Sequence, residues 1–148
     1  YGAERNASRD AIMAEHAEWI LKRGKGRAIL WAHNGHIGTV PWTPTVGDLL
    51  QRRRGRRAYR LGLLAREGAF HNHATRRVEA WAAPAAGVER ALGDPSATVF
   101  VDFRRATAAE RAPFLEPMPA FEPENGGAFA SVPAPRFDGG IVVPRLSP

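Results

Sequence analysis

The sequence predicts an α/β fold with a mainly parallel sheet flanked by helices, and three observations carry that expectation. Arg27 to Ala32 ("RAILWA") is an apolar run without polar alternation, as expected of a strand buried on both faces. Helical segments separate the strand-like runs, which implies alternating layers. The chain has 148 residues, 44% of them apolar and 24% charged, close to globular averages. One domain over residues 1–148 would bury about 70% of its unfolded surface.

In chain order, Glu4 to Arg23 reads as a helix without an internal proline. Ile12, His16, Trp19 and Ile20 recur on one face at i, i+4, i+7 and i+8, so that face is expected in the core, with His16 a buried, satisfied histidine. "RGKGR" ends the helix. The strand Arg27 to Ala32 follows, and His33 opens the loop at its carboxyl end. Pro41 and Pro44 keep the next stretch, "NGHIGTVPWTP", out of a helix, which resumes from Val46 to Arg54 and is stopped by Gly55. Ala58 to Leu64 is a second strand, "REGAFHNHATRR" a polar loop, and Val88 to Leu92 a short helix ended by "GDP". Thr98 to Phe103 has strong β composition, and Thr107 to Arg111 is a last brief helix.

From Pro113 to the end, residues 113–148 hold eight of the twelve prolines, which leaves room for extended segments and turns only. "GGIVVP" in that tail reads as a buried strand, so the tail is expected to pack on the body. No repeat is found.

Several function classes fall away on composition. The absence of cysteine excludes disulfides, thiolate nucleophiles and cysteine-ligated metals. No apolar run approaches the ~18 residues a membrane span needs, so no membrane partner is expected and the protein is expected in the cytoplasm. The chain opens on Tyr1 rather than Met, which points to a start lying outside the sequence. The net charge of +6 concentrates in Arg52, Arg53, Arg54, Arg56 and Arg57. No aromatic residue interleaves these arginines as a base-stacking platform would require, so they read as a cationic helix end complementing the dipole rather than a nucleic-acid surface.

Ligands of open α/β sheets bind outside the carboxyl ends of the strands. His33, Asn34 and His36 occupy that edge, and a neutral imidazole suits acid–base work near neutral pH. The pair could equally be loop histidines bonded to backbone. A metal site is also conceivable, from His-x-x-His with His71 and His73 as further ligands, but the carboxylate or thiolate that usually completes such a site is missing nearby. No serine sits in a Gly-x-Ser-x-Gly turn, and "GKG" precedes its strand, so serine hydrolysis and phosphate binding are set aside.

"RDAIMAEHAEWIL" followed by "AILWAHNGHIG" resembles the erythromycin esterase family, whose C-terminal half carries an Arg-x-x-x-Met-Ala helix before a strand ending in Trp-Ala-His-Asn-x-His. "VGDLLQRRRGRRAYRLGLL", "GAF", "FVDFR" and "FDGGIVV" extend the likeness over nearly the whole chain. His16 departs from it, standing where the family usually has Asn. The resemblance implies the C-terminal part of a three-layer fold whose missing N-terminal part supplies a further histidine and acidic residues. It implies a bacterial antibiotic-resistance hydrolase that opens a macrolactone or related carboxylic ester with histidine-activated water, without metal or cofactor. By that likeness His33 and His36 are catalytic, Arg9 binds substrate, and the partners are a small-molecule ester and the missing part of the domain.

Overall fold

The computed structural model describes residues 2–24, 26–72, 75–122 and 127–147. His73, the last member of the suggested metal set, lies outside them. The chain divides into two compact units, Tyr1–Gly62 and Leu63–Pro148.

The first unit is helical. α1 spans Gly2–Arg23, α2 Asn34–Ile37 and α3 Val46–Arg54. Lys22 and Arg23 complement the carboxyl end of α1. Thr45 caps α3 in a capping box: its hydroxyl accepts from the Asp48 amide while the Asp48 carboxylate accepts from the Thr45 amide. Gly55, at φ +56°, ends α3 where an L side chain would be strained, as the sequence suggested.

The face of α1 that packs differs from the expected one. Asp10, Ala14 and Glu18, at i, i+4 and i+8, form the stripe against α3. Asp10 accepts from the Val46 amide at one end of that stripe. At the other, Arg54 donates twice to Glu18, Nε to Oε1 at 2.7 Å and Nη2 to Oε2 at 2.5 Å. Two polar anchors eight residues apart on each helix therefore fix which side of α1 meets α3. Ile12, Trp19 and Ile20 are left more than half exposed, and His16 is exposed rather than buried.

The segment 27–32 departs from expectation too. It belongs to no ladder, with Ile29 94% and Trp31 80% exposed. Its composition suits a strand, but a strand exists only against a neighbour's backbone, and no described strand pairs with this segment.

The second unit carries a four-stranded sheet in the order β2-β1-β6-β3, with β1 Leu61–Asn72, β2 Arg77–Ala82, β3 Val99–Asp102 and β6 Gly139–Leu146; β1 takes its first two residues from the end of the first unit. β1 pairs antiparallel with β2, and β3 with β6, so the one parallel pair is β1 with β6. The mainly parallel sheet expected from the sequence is thus a mainly antiparallel one here.

The cause is local. "REGAFHN" was expected in a loop but continues β1, and the chain turns straight back into β2. Thr75 and Arg76 make that turn, with Arg76 at φ +56° and its amide bonded to the Asn72 carbonyl at 2.7 Å. Glu67 and Asn72 of this stretch have polar partners on neighbouring strands. Arg145 donates to Glu67, and the Asn72 amide donates to both oxygens of Glu79 at 3.0 and 3.1 Å. The first three residues of the predicted second strand, Ala58 to Arg60, precede β1.

Helix α4 (Val88–Leu92) and helix α5 (Ala108–Arg111), capped by Thr107, stand where the sequence placed them. The proline-rich tail supplies a separate hairpin, β4 Met118–Glu122 with β5 Gly127–Ser131, and then β6. It also holds a one-turn helix, α6 Pro133–Arg136, unforeseen because proline breaks helices in general; at the first helical position its missing N–H costs nothing. The core gathers Ala65, Ala83, Val88, Phe103, Phe137 and Val142, with Phe103 tilted on Phe114 at 5.5 Å.

Candidate functional site

All three residues proposed from the sequence, Arg9, His33 and His36, lie in the first unit. Segment 27–32 leads into His33, which is the N-cap of α2 and itself extended in backbone. The His33 carbonyl accepts from the amides of His36 and Ile37, so one tight turn places the second histidine three residues after the first. The His33 ring takes part in the cap: Nδ1 accepts from the Gly35 amide at 3.1 Å. A neutral ring that accepts at Nδ1 carries its proton on Nε2. The His33 proton therefore sits on Nε2, on an exposed side chain. Gly35 keeps the cap open, since a Cβ there would stand 3.2 Å from that Nδ1.

His36 has the opposite assignment. Arg9 Nη2 lies 2.5 Å from its Nε2, and Asp10 Oδ1 lies 2.7 Å from its Nδ1. A guanidinium only donates, so Nε2 must be the acceptor and Nδ1 the protonated nitrogen that donates to Asp10. The two histidines are thus opposite tautomers, each set by what its Nδ1 meets.

Asp10 is 3% exposed and was not singled out in the sequence. Its second oxygen accepts from the Val46 amide at 3.2 Å, at the positive end of α3, where a carboxylate is favoured. One carboxylate thereby connects α1 with the α2 turn and the start of α3. The only sequence signal for it is its place beside Arg9, because its partners lie 26 and 36 residues away.

The loop between α2 and α3 is closed at its base. Thr39 donates to Asp48 Oδ1 at 2.6 Å, and buried Arg60 donates to both Thr39 and Asp48. Gly47 allows α3 to approach α2, since a Cβ there would fall onto the Ile37 carbonyl oxygen. Away from the histidines, the Arg54 hydrogen bonds hold the Glu18 carboxyl below the ordinary carboxylate range against the opposing effect of burial, helped by the charges of Arg54, Arg53 and Lys22.

His16 stands exposed on α1, and His71 belongs to the second unit, exposed on β1 opposite Val78. Among the described residues no group of three His, Cys, Asp or Glu side chains is placed to hold a metal ion. Among them, too, no helix is long and apolar enough to cross a membrane.

The sequence model of the erythromycin esterase family matches residues 2–146. No curated protein matches the chain. Two crystal structures share the fold. A Bacillus cereus protein superposes with a TM-score of 0.79 at 21% identity, over 99% of this chain and 40% of its own. A succinoglycan biosynthesis protein superposes with a TM-score of 0.76 at 20% identity, over 94% of this chain and 38% of its own. The chain spans about two fifths of the length of these structures.

Proposed function

The chain belongs to the erythromycin esterase family, and we propose that the full-length protein hydrolyses a carboxylic ester, of which a macrolactone is the first to test. The observation that carries this reading is the cluster in which Arg9, on α1, reaches His36, whose short turn also carries His33 with its proton on Nε2. Hydrolysis adds water to the ester carbonyl, collects negative charge on the carbonyl oxygen, and expels the alcohol with a proton. A fixed N–H donor and a guanidinium suit the second step, because donors aimed at developing charge need no reorganisation as the reaction proceeds.

His33, whose neutral ring donates from Nε2, supports the oxyanion or passes the proton to the leaving oxygen. Arg9 binds the carbonyl or a nearby anion of the substrate. His36 does not act as a base in this arrangement, since both nitrogens are engaged, and its work is to hold Arg9. The water-activating base is then supplied by the part of a relative-length protein that this chain does not span. In such a protein the same part is the neighbour against which segment 27–32 becomes a strand, covering Ile29 and Trp31.

The test is turnover of macrolactones and simpler lactones by the full-length protein, with the product read by mass spectrometry as a gain of one water. His33→Ala should lower kcat by about 10²–10⁴, the usual cost of removing one such group, while circular dichroism stays unchanged. Full turnover by the folded variant refutes the assignment.

A further inference from the structure

We infer that Asp10 is a positioning residue for this site: it fixes the tautomer of His36 and, through that ring, the place of Arg9. The inference rests on the hydrolase reading above for its kinetic consequence, though not for its structural one.

The argument is one of counting donors and acceptors. Two N–H groups converge on Asp10, that of His36 Nδ1 at Oδ1 and the backbone amide of Val46 at Oδ2. Only a carboxylate of this size presents an acceptor to both. Asparagine has the same shape but one acceptor, so its NH₂ must face one of the two donors. The Val46 amide cannot change its nature. The His36 ring can, by moving its proton from Nδ1 to Nε2 and accepting at Nδ1. That move turns Nε2 from the acceptor of the Arg9 hydrogen bond into a second donor facing it, and Arg9 loses its anchor. A substitution that never touches substrate thus releases the residue proposed to do so. Burial sharpens the effect, because an unmatched donor out of water costs more than an exposed one.

Two measurements on the full-length protein test this. The first is long-range proton–nitrogen NMR of histidine-labelled protein, which distinguishes the two neutral tautomers. Wild-type His36 should be the Nδ1–H form, and the Nε2–H form in the wild type overturns the inference without any variant. Asp10→Asn should convert His36 to Nε2–H. The double variant Asp10→Asn with Val46→Pro should return it to Nδ1–H, because proline at the first position of α3 removes the competing amide donor where the helix tolerates it. A merely structural role for Asp10 would not give that rescue.

The second measurement is kinetic. Asp10→Asn should lower kcat about 10²-fold with KM within about threefold of wild type, the pattern of an interaction made in the transition state. Conversion of the tautomer with unchanged kcat would separate Asp10 from the reaction, and retention of Nδ1–H in Asp10→Asn would overturn the whole chain of effects. If the wild-type protein turns over no ester, the hydrolase reading fails and the tautomer measurement still decides the role of Asp10.

Discussion

The two units use their apolar residues in opposite ways. Among the described residues, eight of the thirteen large apolar side chains that stand exposed belong to the first unit, while eight of the ten buried apolar residues belong to the second. The second unit is organised around a sheet with aromatic and aliphatic contacts. The first is organised by polar anchors, with Asp10, Glu18, Asp48 and Arg60 tying its helices and loop together while Ile12, Trp19, Ile29 and Trp31 face outward. Unshared polar groups are costly to bury, and satisfied ones specify geometry closely. The unit that carries Arg9, His33 and His36 is the one built from directional bonds, and it leaves much of its apolar surface exposed.

The strongest way to break this contrast is Gly47→Ala. The added methyl meets backbone at Ile37, so the expected loss is about 3 kcal/mol, the upper end of overpacking costs, read by urea denaturation with tryptophan fluorescence. An unmoved midpoint would mean that α2 and α3 do not need their close approach. The two capping boxes then offer a matched pair. Thr45 is buried in the first unit and Thr107 exposed in the second. Thr45→Ala should cost about 2 kcal/mol and Thr107→Ala about 0.5, the two ends of the range for N-caps. Equal costs would show that the polar frame of the first unit is no more demanding than an ordinary helix end.

Smaller effects are expected on the outward apolar residues. Replacing Ile29 and Trp31 together by aspartate should leave the unfolding free energy within about 0.5 kcal/mol, as for surface positions generally. It should also lower the tendency of the chain to associate, seen as later elution in size-exclusion chromatography. A chain that is monomeric before substitution would remove the reason to expect a covering neighbour.

The smallest effect concerns Glu18 and pH. Its carboxyl is held below the ordinary range by Arg54, so the pair's contribution is complete above the usual carboxylate value of about 4.3 and is lost as pH falls through the lowered one. The denaturation midpoints of wild type and Glu18→Gln should differ at neutral pH and converge in acid.

The parts legible in the sequence are those decided by short-range chemistry. α3 begins after Thr45 and ends at Gly55, Thr107 starts α5, and β3 and β6 follow β-rich composition, because cap, glycine and side-chain shape act within a few residues. The chain's family was legible from "WAHNGHIG" and the helix before it. What could not be read depends on distant partners. The periodicity of Ile12, Trp19 and Ile20 gave an apolar face but not whether anything covers it, and the packed face was chosen by Val46 and Arg54. The strand through Glu67 to Asn72 was hidden by its polarity, since its matching groups, Glu79 and Arg145, lie elsewhere in the chain. Asp10 was hidden for the same reason.

The place of β6 has a consequence for synthesis. It is the last of the six described strands yet sits inside the sheet, between β1 and β3. Until residues 139–146 leave the ribosome, the β1–β2 hairpin and β3 have no strand between them, and β1 shows an unpaired edge. At translation rates of ~5–20 residues/s, the interval between the end of β1 and the start of β6 is about 3–13 s. For that time Gly68, whose bare backbone later lies against Leu146, marks an opening on the nascent chain that a chaperone or another growing chain can reach first.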